Sequence, residues 1–379
     1  MLRICRLNLA YQPHPDLTSL LKCYPTLVGA AEALVAEGAS VEVYQLFHRE
    51  EVCVQGGVVY RGFTTRGLPH RLRWWHYPHH LLTSLHHHPP DVIHLSGLSF
   101  AGLIPHLRRV VPQSVIVVQD HGEKPRPPGL RLRVRSHLLR GADALFFHAE
   151  EAGELLRSRG QLAEVKIFEI PEASSDLTPM DREVARQHLG LGEEKVVLWV
   201  GRLEEVKDPS TAFDAFCQLW RDDPAVRLYV IYQSSSLEAE LRRRVEEAGA
   251  TRAVKWLGRQ NRAELALWMS AADTFVTASP WEGSNYALIE ALSCGLWPVA
   301  SDIPTHRSLT RRGQFGHLFP PGDVGACTRA LGKALQMRGD IVRRQELQRH
   351  FEENLSWGSI ARQSLKVYGE LTRGRGVIK

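Results

Sequence analysis

The sequence predicts two doubly wound α/β domains in one chain, each built on a parallel sheet. Three observations carry this. Short β-branched runs alternate with amphipathic stretches along nearly all of the 379 residues, a rhythm suited to parallel strands joined by right-handed crossovers. The runs SVIVV and VVLWV are continuously apolar, as strands covered on both faces should be. A polar, proline-bounded segment, Pro171–Pro179, interrupts the pattern near the middle, and one core seldom extends past roughly 250–300 residues. The expected domains are residues 1–175 and 176–355. Residues 356–379 are expected to form an amphipathic terminal helix that packs locally or returns to the first domain.

Taken in order, the strands expected in the first half are Leu2–Leu7, Val41–Leu46, Val92–Leu95, Val115–Gln119, Ala144–Phe147 and Val165–Ile170. Those of the second half are Val196–Val200, Leu228–Tyr232, Val254–Leu257, Thr274–Thr277 and Trp297–Ala300. Helical periodicity separates them at Leu20–Glu37, Glu150–Ser158, Thr211–Arg221, Leu237–Ala248 and Ala287–Cys294. In such folds ligands bind beyond the carboxyl ends of the strands, so the loops that follow strands are where chemistry should be sought.

Composition narrows the class. With 44% hydrophobic and 23% charged residues, the chain is neither disordered nor collagen-like. Its six cysteines are far apart without C-x-x-C spacing, which disfavours a zinc knuckle or a disulfide framework. Charges interrupt the first ten residues and no run approaches the ~18 apolar residues of a membrane span. A cytoplasmic location is expected, with attachment to the inner face of the plasma membrane left open. The net charge of +5 is unevenly spread. Between Arg61 and Arg140, 12 basic residues face only Asp91, Asp120 and Glu123, and 11 of the 18 histidines lie there too. That segment suggests an anionic partner, with a solvated basic face as the plain alternative.

Two segments carry chemistry. In KVVLWVGRLEEVKDP a buried strand ends at Val200, Gly201 permits close backbone approach, and Arg202 and Lys207 follow. Two cations at a strand's carboxyl end suit a diphosphate, the arginine as a fork and the lysine as a point charge. In SPWEGSNYALIEALSCGLWPVASD, Glu282 falls in a loop and Glu290 about one turn into a helix that Ser284 or Asn285 can cap. Gly283 leaves room for a ligand, and the amides of Ser284, Asn285 and Tyr286 lie at a positive helix end. Solvated loop charges and a helix-face acid are the plain readings of each segment taken alone.

Together the segments resemble the retaining glycosyltransferases of family 4. The match is VGRL-x3-K at Val200–Lys207, then EG-x6-E-A-L-x-C-G-x-x-P-V at Glu282–Val299, with PGD at Pro321–Asp323 and the late Ser356–Trp357. The resemblance implies a GT-B fold, two Rossmann-like domains facing a central cleft. It implies that Arg202 and Lys207 bind the donor diphosphate, Glu290 the ribose hydroxyls and Glu282 the donor sugar. It places Gly258 and Arg259 at the nucleobase and His121, in QDHG, near the transferred sugar. The implied donor is a UDP- or GDP-linked sugar, with no metal and no other cofactor. Three segments depart from the family pattern: AYQPHPDL at Ala10–Leu17 lacks its Gly-Gly, YQSSS at Tyr232–Ser236 its Gly-Asp-Gly, and the linker its Asn-Gly-Val-Asp.

The expected reaction is therefore sugar transfer to an unidentified acceptor with retention at the anomeric carbon. A nucleotide-sugar epimerase is the alternative on the same fold, and a nucleic-acid-binding protein a remote one that lacks a recognisable module. Arg71, Arg73, Trp74 and Trp75, in a stretch rich in aromatic and basic residues, are the expected contacts to an acceptor or an anionic membrane.

Overall fold

A computed structural model describes residues 1–11, 13–64, 78–234 and 236–376. The chain forms two compact units, one of Met1–Ala173 with Trp357–Lys379 and the other of Ser174–Ser356.

The first unit contains eight strands: β1 Arg3–Asn8, β2 Ser40–Leu46, β3 Glu51–Gln55, β4 Val58–Phe63, β5 Val92–Ser96, β6 Val115–Gln119, β7 Ala144–Phe147 and β8 Ile167–Glu169. They lie in the order β3-β4-β2-β1-β5-β6-β7-β8. All pairs are parallel except β3 with β4. That hairpin is absent from the strands expected above, although its turn is written in the sequence. Gly56 and Gly57 both adopt positive φ, +55° and +77°, as a two-residue hairpin turn requires. The expected helix Leu20–Glu37 is also corrected. It is two helices, Leu17–Cys23 and Pro25–Ala36, because proline cannot supply the backbone donor that would continue the first.

Apolar side chains form one cluster on each face of this sheet. The helix Trp357–Gly374 covers one face, packing on Pro25–Ala36. Its entry is tight: a Cβ on Gly29 would sit 2.6 Å from the Trp357 ring. Tyr368 then stacks on Phe146 with ring centroids 5.7 Å apart, and Arg362 pairs with Glu37 at 2.7 Å.

The second unit has six strands: β9 Lys195–Gly201, β10 Val226–Tyr232, β11 Val254–Gly258, β12 Thr274–Thr277, β13 Pro298–Ser301 and β14 His317–Phe319. The last, only three residues long, is missing from the sequence expectation. All are parallel in the order β11-β10-β9-β12-β13-β14. The order reverses between β9 and β12, which makes their carboxyl ends the topological switch point of this sheet. Trp199, 2% exposed, anchors β9 against Phe213 of the helix Pro209–Asp222. Burial of one such side chain contributes roughly 1.5–3 kcal/mol.

Candidate functional site

The loop leaving β9 is held from two sides. Leu203 donates its backbone N–H to the Ser234 carbonyl at 3.0 Å and accepts from Leu237 N at 3.0 Å. Ser234 Oγ also donates to Glu204 at 2.7 Å, and Glu204 pairs with Arg202 at 3.0 Å. The segment after β10 that departs from the family pattern is thus the brace for the Arg202 loop. The loop closes in a single turn, Glu205–Lys207, ended by Asp208 in the left-handed region at φ +42°. Asp208 then caps the helix Pro209–Asp222 through Thr211. This turn carries Lys207 back toward β12, where its Nζ pairs with Glu282.

Glu282 is only 10% exposed, and Thr305 Oγ1 fixes its carbonyl at 2.7 Å. Three residues on, the helix Tyr286–Ser293 begins with Asn285 as its cap, the side chain accepting from Leu288 N at 3.2 Å. Asn285 Nδ2 donates to Thr277 Oγ1 at 3.1 Å and to His306 Nε2 at 3.0 Å, and His306 Nδ1 donates to the Ser301 carbonyl at 2.8 Å. This arrangement requires a neutral imidazole with its proton on Nδ1. Burial agrees, lowering the His306 pKa to about 4. His306 and Thr305 were not singled out by sequence, since one histidine in PTHR carries no signal of a partner 21 residues away.

The structure thus brings Gly201, Arg202, Lys207, Glu282, Gly283, Ser284, Asn285 and Tyr286 to the β9 and β12 ends of one sheet. A phosphate at this point would meet two cations and a helix N-terminus. Glu290 lies one turn deeper, its side chain 12% exposed and paired with Arg262, which also pairs with Asp176. Burial pushes the Glu290 carboxyl above its ordinary value, and Arg262 pulls the other way. Arg262 is another residue that spacing could not reveal. Gly258, at φ +64° with open space where a Cβ would stand, and the exposed Arg259 end the edge strand β11.

His121 belongs to the first unit, at the carboxyl end of β6. Asp120 accepts from Gly122 N at 2.8 Å and Glu123 N at 3.2 Å, a local turn that fixes the loop. His121 Nδ1 pairs with Glu172, whose other oxygen meets His148 Nε2 at 3.1 Å. Burial acts to lower the His121 pKa, but the Glu172 hydrogen bond and charge outweigh it and the pKa is raised. Glu172 is held well below the usual carboxylate range because the two histidines overcome its own burial. Glu172 and His148 are further residues the sequence did not announce.

The basic run after His121 divides. Arg131 and Arg133 are exposed beside Leu130 (77% exposed) and Val134 (50%), whereas Arg135 turns inward to Glu123. Arg71, Arg73, Trp74 and Trp75 lie outside the described residues. Among the described residues, no group of three or more His, Cys, Asp or Glu side chains is placed to hold a metal ion. No helix among them is long and apolar enough to cross a membrane.

Comparison with known proteins shows the family and the fold. Residues 181–355 match the family model for glycosyl transferases group 1, and residues 25–172 match the glycosyl transferase 4-like domain. Over 226 residues the chain is 31% identical to a D-inositol 3-phosphate glycosyltransferase of Geodermatophilus obscurus, covering 55% of this chain and 50% of that one. Over 178 residues it is 30% identical to a phosphatidyl-myo-inositol mannosyltransferase of Mycobacterium leprae, 46% of each chain. It spans about half the length of the curated relatives it matches. Among solved structures, sucrose-phosphate synthase from Thermosynechococcus elongatus superposes with a TM-score of 0.71 at 20% identity, covering 98% of this chain and 99% of that one. Anabaena HepE in complex with UDP superposes at 0.74 and 18% identity, covering 97% and 100%. At such identities the likeness is one of fold, and that fold is GT-B. The two family matches leave only residues 173–180 between them, and the chain belongs to the group 1 glycosyltransferases of family 4.

Proposed function

We propose that the protein moves a sugar from a nucleotide-sugar donor to an acceptor with retention at the anomeric carbon. The observation that carries this reading is the gathering of Arg202, Lys207, Glu282 and the start of the helix Tyr286–Ser293 at the switch point of the second sheet. There Arg202, Lys207 and the helix-end amides would neutralise the leaving diphosphate as its charge develops, without a metal ion. Glu290 would hold the ribose hydroxyls, Glu282 the donor sugar, and Gly258 and Arg259 the base. The family resemblance supports attack on the sugar's front face, the leaving phosphate taking the acceptor's proton. The family resemblance makes UDP- and GDP-sugars the donors to test first, a choice supported by a structural neighbour solved with UDP.

His121, held by Glu172, would stand on the acceptor side. The relatives named for inositol phosphate and phosphatidylinositol make a phosphorylated polyol or a lipid headgroup the first acceptors to try. Exposed Leu130 and Val134, set among Arg131 and Arg133, support contact with an anionic bilayer by a cytoplasmic protein. The test is incubation with UDP- and GDP-sugars with and without acceptor. Acceptor-dependent release of nucleoside diphosphate, with retained configuration in the product, supports transfer. A changed sugar without release would show an epimerase instead. Sedimentation with anionic and neutral vesicles tests the bilayer: equal binding to both, or no loss on Arg131→Glu, would refute that contact.

A further inference from the structure

Three neighbouring strands of the first sheet each deliver one titratable group at the carboxyl end. The strands β6, β7 and β8 are contiguous and parallel, and His121, His148 and Glu172 follow them in turn. The strands stay zipped almost to these residues. Asp120 N donates to the Phe146 carbonyl and Ile170 N to the Phe147 carbonyl, both at 2.8 Å. Backbone bonds therefore fix where each group starts.

Burial falls off along the cluster. The side chains of His148, Glu172 and His121 are 6%, 13% and 49% exposed. Glu172 Oε1 meets His148 Nε2 at 3.1 Å, and Oε2 meets His121 Nδ1. An ionised carboxylate only accepts hydrogen bonds, so both ring nitrogens donate. A pair exposed on both sides would hold its side chains weakly, and a core pair would be buried throughout. Here a buried anion, backed by one histidine, grips one nitrogen of a second histidine that reaches solvent. The Nε2 of that second ring makes no hydrogen bond among the described residues.

The other charged or titratable groups around His121 are Asp120 on its own loop, Arg6 on β1 and His94 on β5. Asp120 adds to the pull of Glu172, but its oxygens already accept from Gly122 N and Glu123 N. Arg6 opposes a second cation, and His94 is held neutral by burial. Glu172 is thus the carboxylate that both touches and charges His121. It stands in the linker segment PEASSD, where the Asn-Gly-Val-Asp of the family pattern is absent. A carboxamide there could orient an imidazole but could not balance its charge.

We propose that Glu172 is a positioning residue, braced by His148, which holds His121 as an imidazolium with Nε2–H offered to a substrate oxygen. The substrate part rests on the transferase reading; the pairing does not. A bound Nδ1 fixes the ring's orientation and leaves Nε2 as its working donor. A charged donor makes a hydrogen bond roughly twice as strong as a neutral one. An imidazolium also takes up no proton, which leaves the acceptor's proton to the departing phosphate.

The first test is NMR titration of the His121 ring without ligand, assigned by loss of its signal in His121→Gln. The midpoint should lie above the ordinary 6.5 in the wild type, below it in Glu172→Gln, and between the two in Glu172→Asp. A wild-type midpoint at or below 6.5, or one unchanged in Glu172→Gln, would overturn the pairing. The wild-type value decides this even where a variant fails to fold. A carboxylate with a structural role alone would change the melting temperature and leave the midpoint in place. The second test is the pH profile of nucleoside diphosphate release. Rates should fall as pH rises through the His121 midpoint, and Glu172→Gln should move that limb to lower pH with UDP affinity unchanged. A limb that stays while the midpoint moves would overturn the link to substrate. Release from no nucleotide sugar would count against the transferase reading, and the ring titration would still decide the pairing.

Discussion

The two units share a sheet plan, and a few of their charges are partnered differently. In the second, Lys207 meets Glu282, Glu290 meets Arg262, and Arg202 meets Glu204, so the charges of the proposed donor site are matched within the unit. In the first, a carboxylate is shared between two histidines, while Arg6 forms no ion pair among the described residues and its Nε is buried without a hydrogen-bond partner. Pre-paired charges hold side chains in place until a ligand displaces one partner. A partly buried charge without a counter-charge is instead a standing cost to stability.

Four substitutions bear on that contrast. The largest effect is expected from Lys207→Ala, which removes a cation proposed to meet the diphosphate and strands Glu282. Sugar transfer should fall about 10²- to 10³-fold, measured as the rate of nucleoside diphosphate release. A variant retaining more than a tenth of the wild-type rate would show that this pair is not part of the machinery. Glu290→Gln should weaken nucleoside diphosphate binding by about 10- to 100-fold, the scale of one charged hydrogen bond. Isothermal titration checks it, and unchanged affinity would remove Glu290 from the ribose.

Next come two structural changes. His306→Ala leaves Asn285 short of an acceptor and should cost about 1–3 kcal/mol of stability by denaturant titration. Gly29→Ala drives a methyl against the Trp357 ring, and overpacking of this kind costs about 1–3 kcal/mol. Its effect should appear as fraying of the C-terminal helix in hydrogen exchange, with the second unit unchanged.

Two histidines, one in each unit, should also answer pH in opposite senses. His306 titrates at about 4 when folded against an ordinary 6.5. Its contribution to stability is therefore fully present above 6.5 and lost as pH falls through about 4. His121 has a raised folded pKa, so its contribution is present below its ordinary value and lost as pH rises through the folded one. Melting curves of His306→Gln and His121→Gln across the pH range should differ from the wild type at opposite ends. Parallel curves would mean that neither histidine is coupled to folding in the way its partners imply.

What the sequence made legible follows the same divide. The second unit announces itself because its site residues sit at fixed short offsets after two apolar strands, Gly201 to Lys207 and Glu282 to Glu290. The cap at Asn285 and the start of its helix could be read the same way. Arg262, His306 and Glu172 could not, because each acts on a partner 21 to 51 residues away that only the fold brings near. The β3–β4 hairpin could have been found from Gly56–Gly57, but charged neighbours dilute its apolar alternation. Arg6 was hidden for another reason. In the segment RICRLN a charge every third residue looks like a solvated strand, and only the register with Tyr60 and His94 reveals a buried row.

The second unit is proposed to grip a nucleoside diphosphate between its β9 and β12 ends. Titrating UDP, GDP and ADP into the wild type and Lys207→Ala tests it most directly. Saturable binding of UDP or GDP by the wild type is expected, with at least tenfold weaker binding by the variant. Equal binding by both proteins, or no binding of any diphosphate by the wild type, would contradict it.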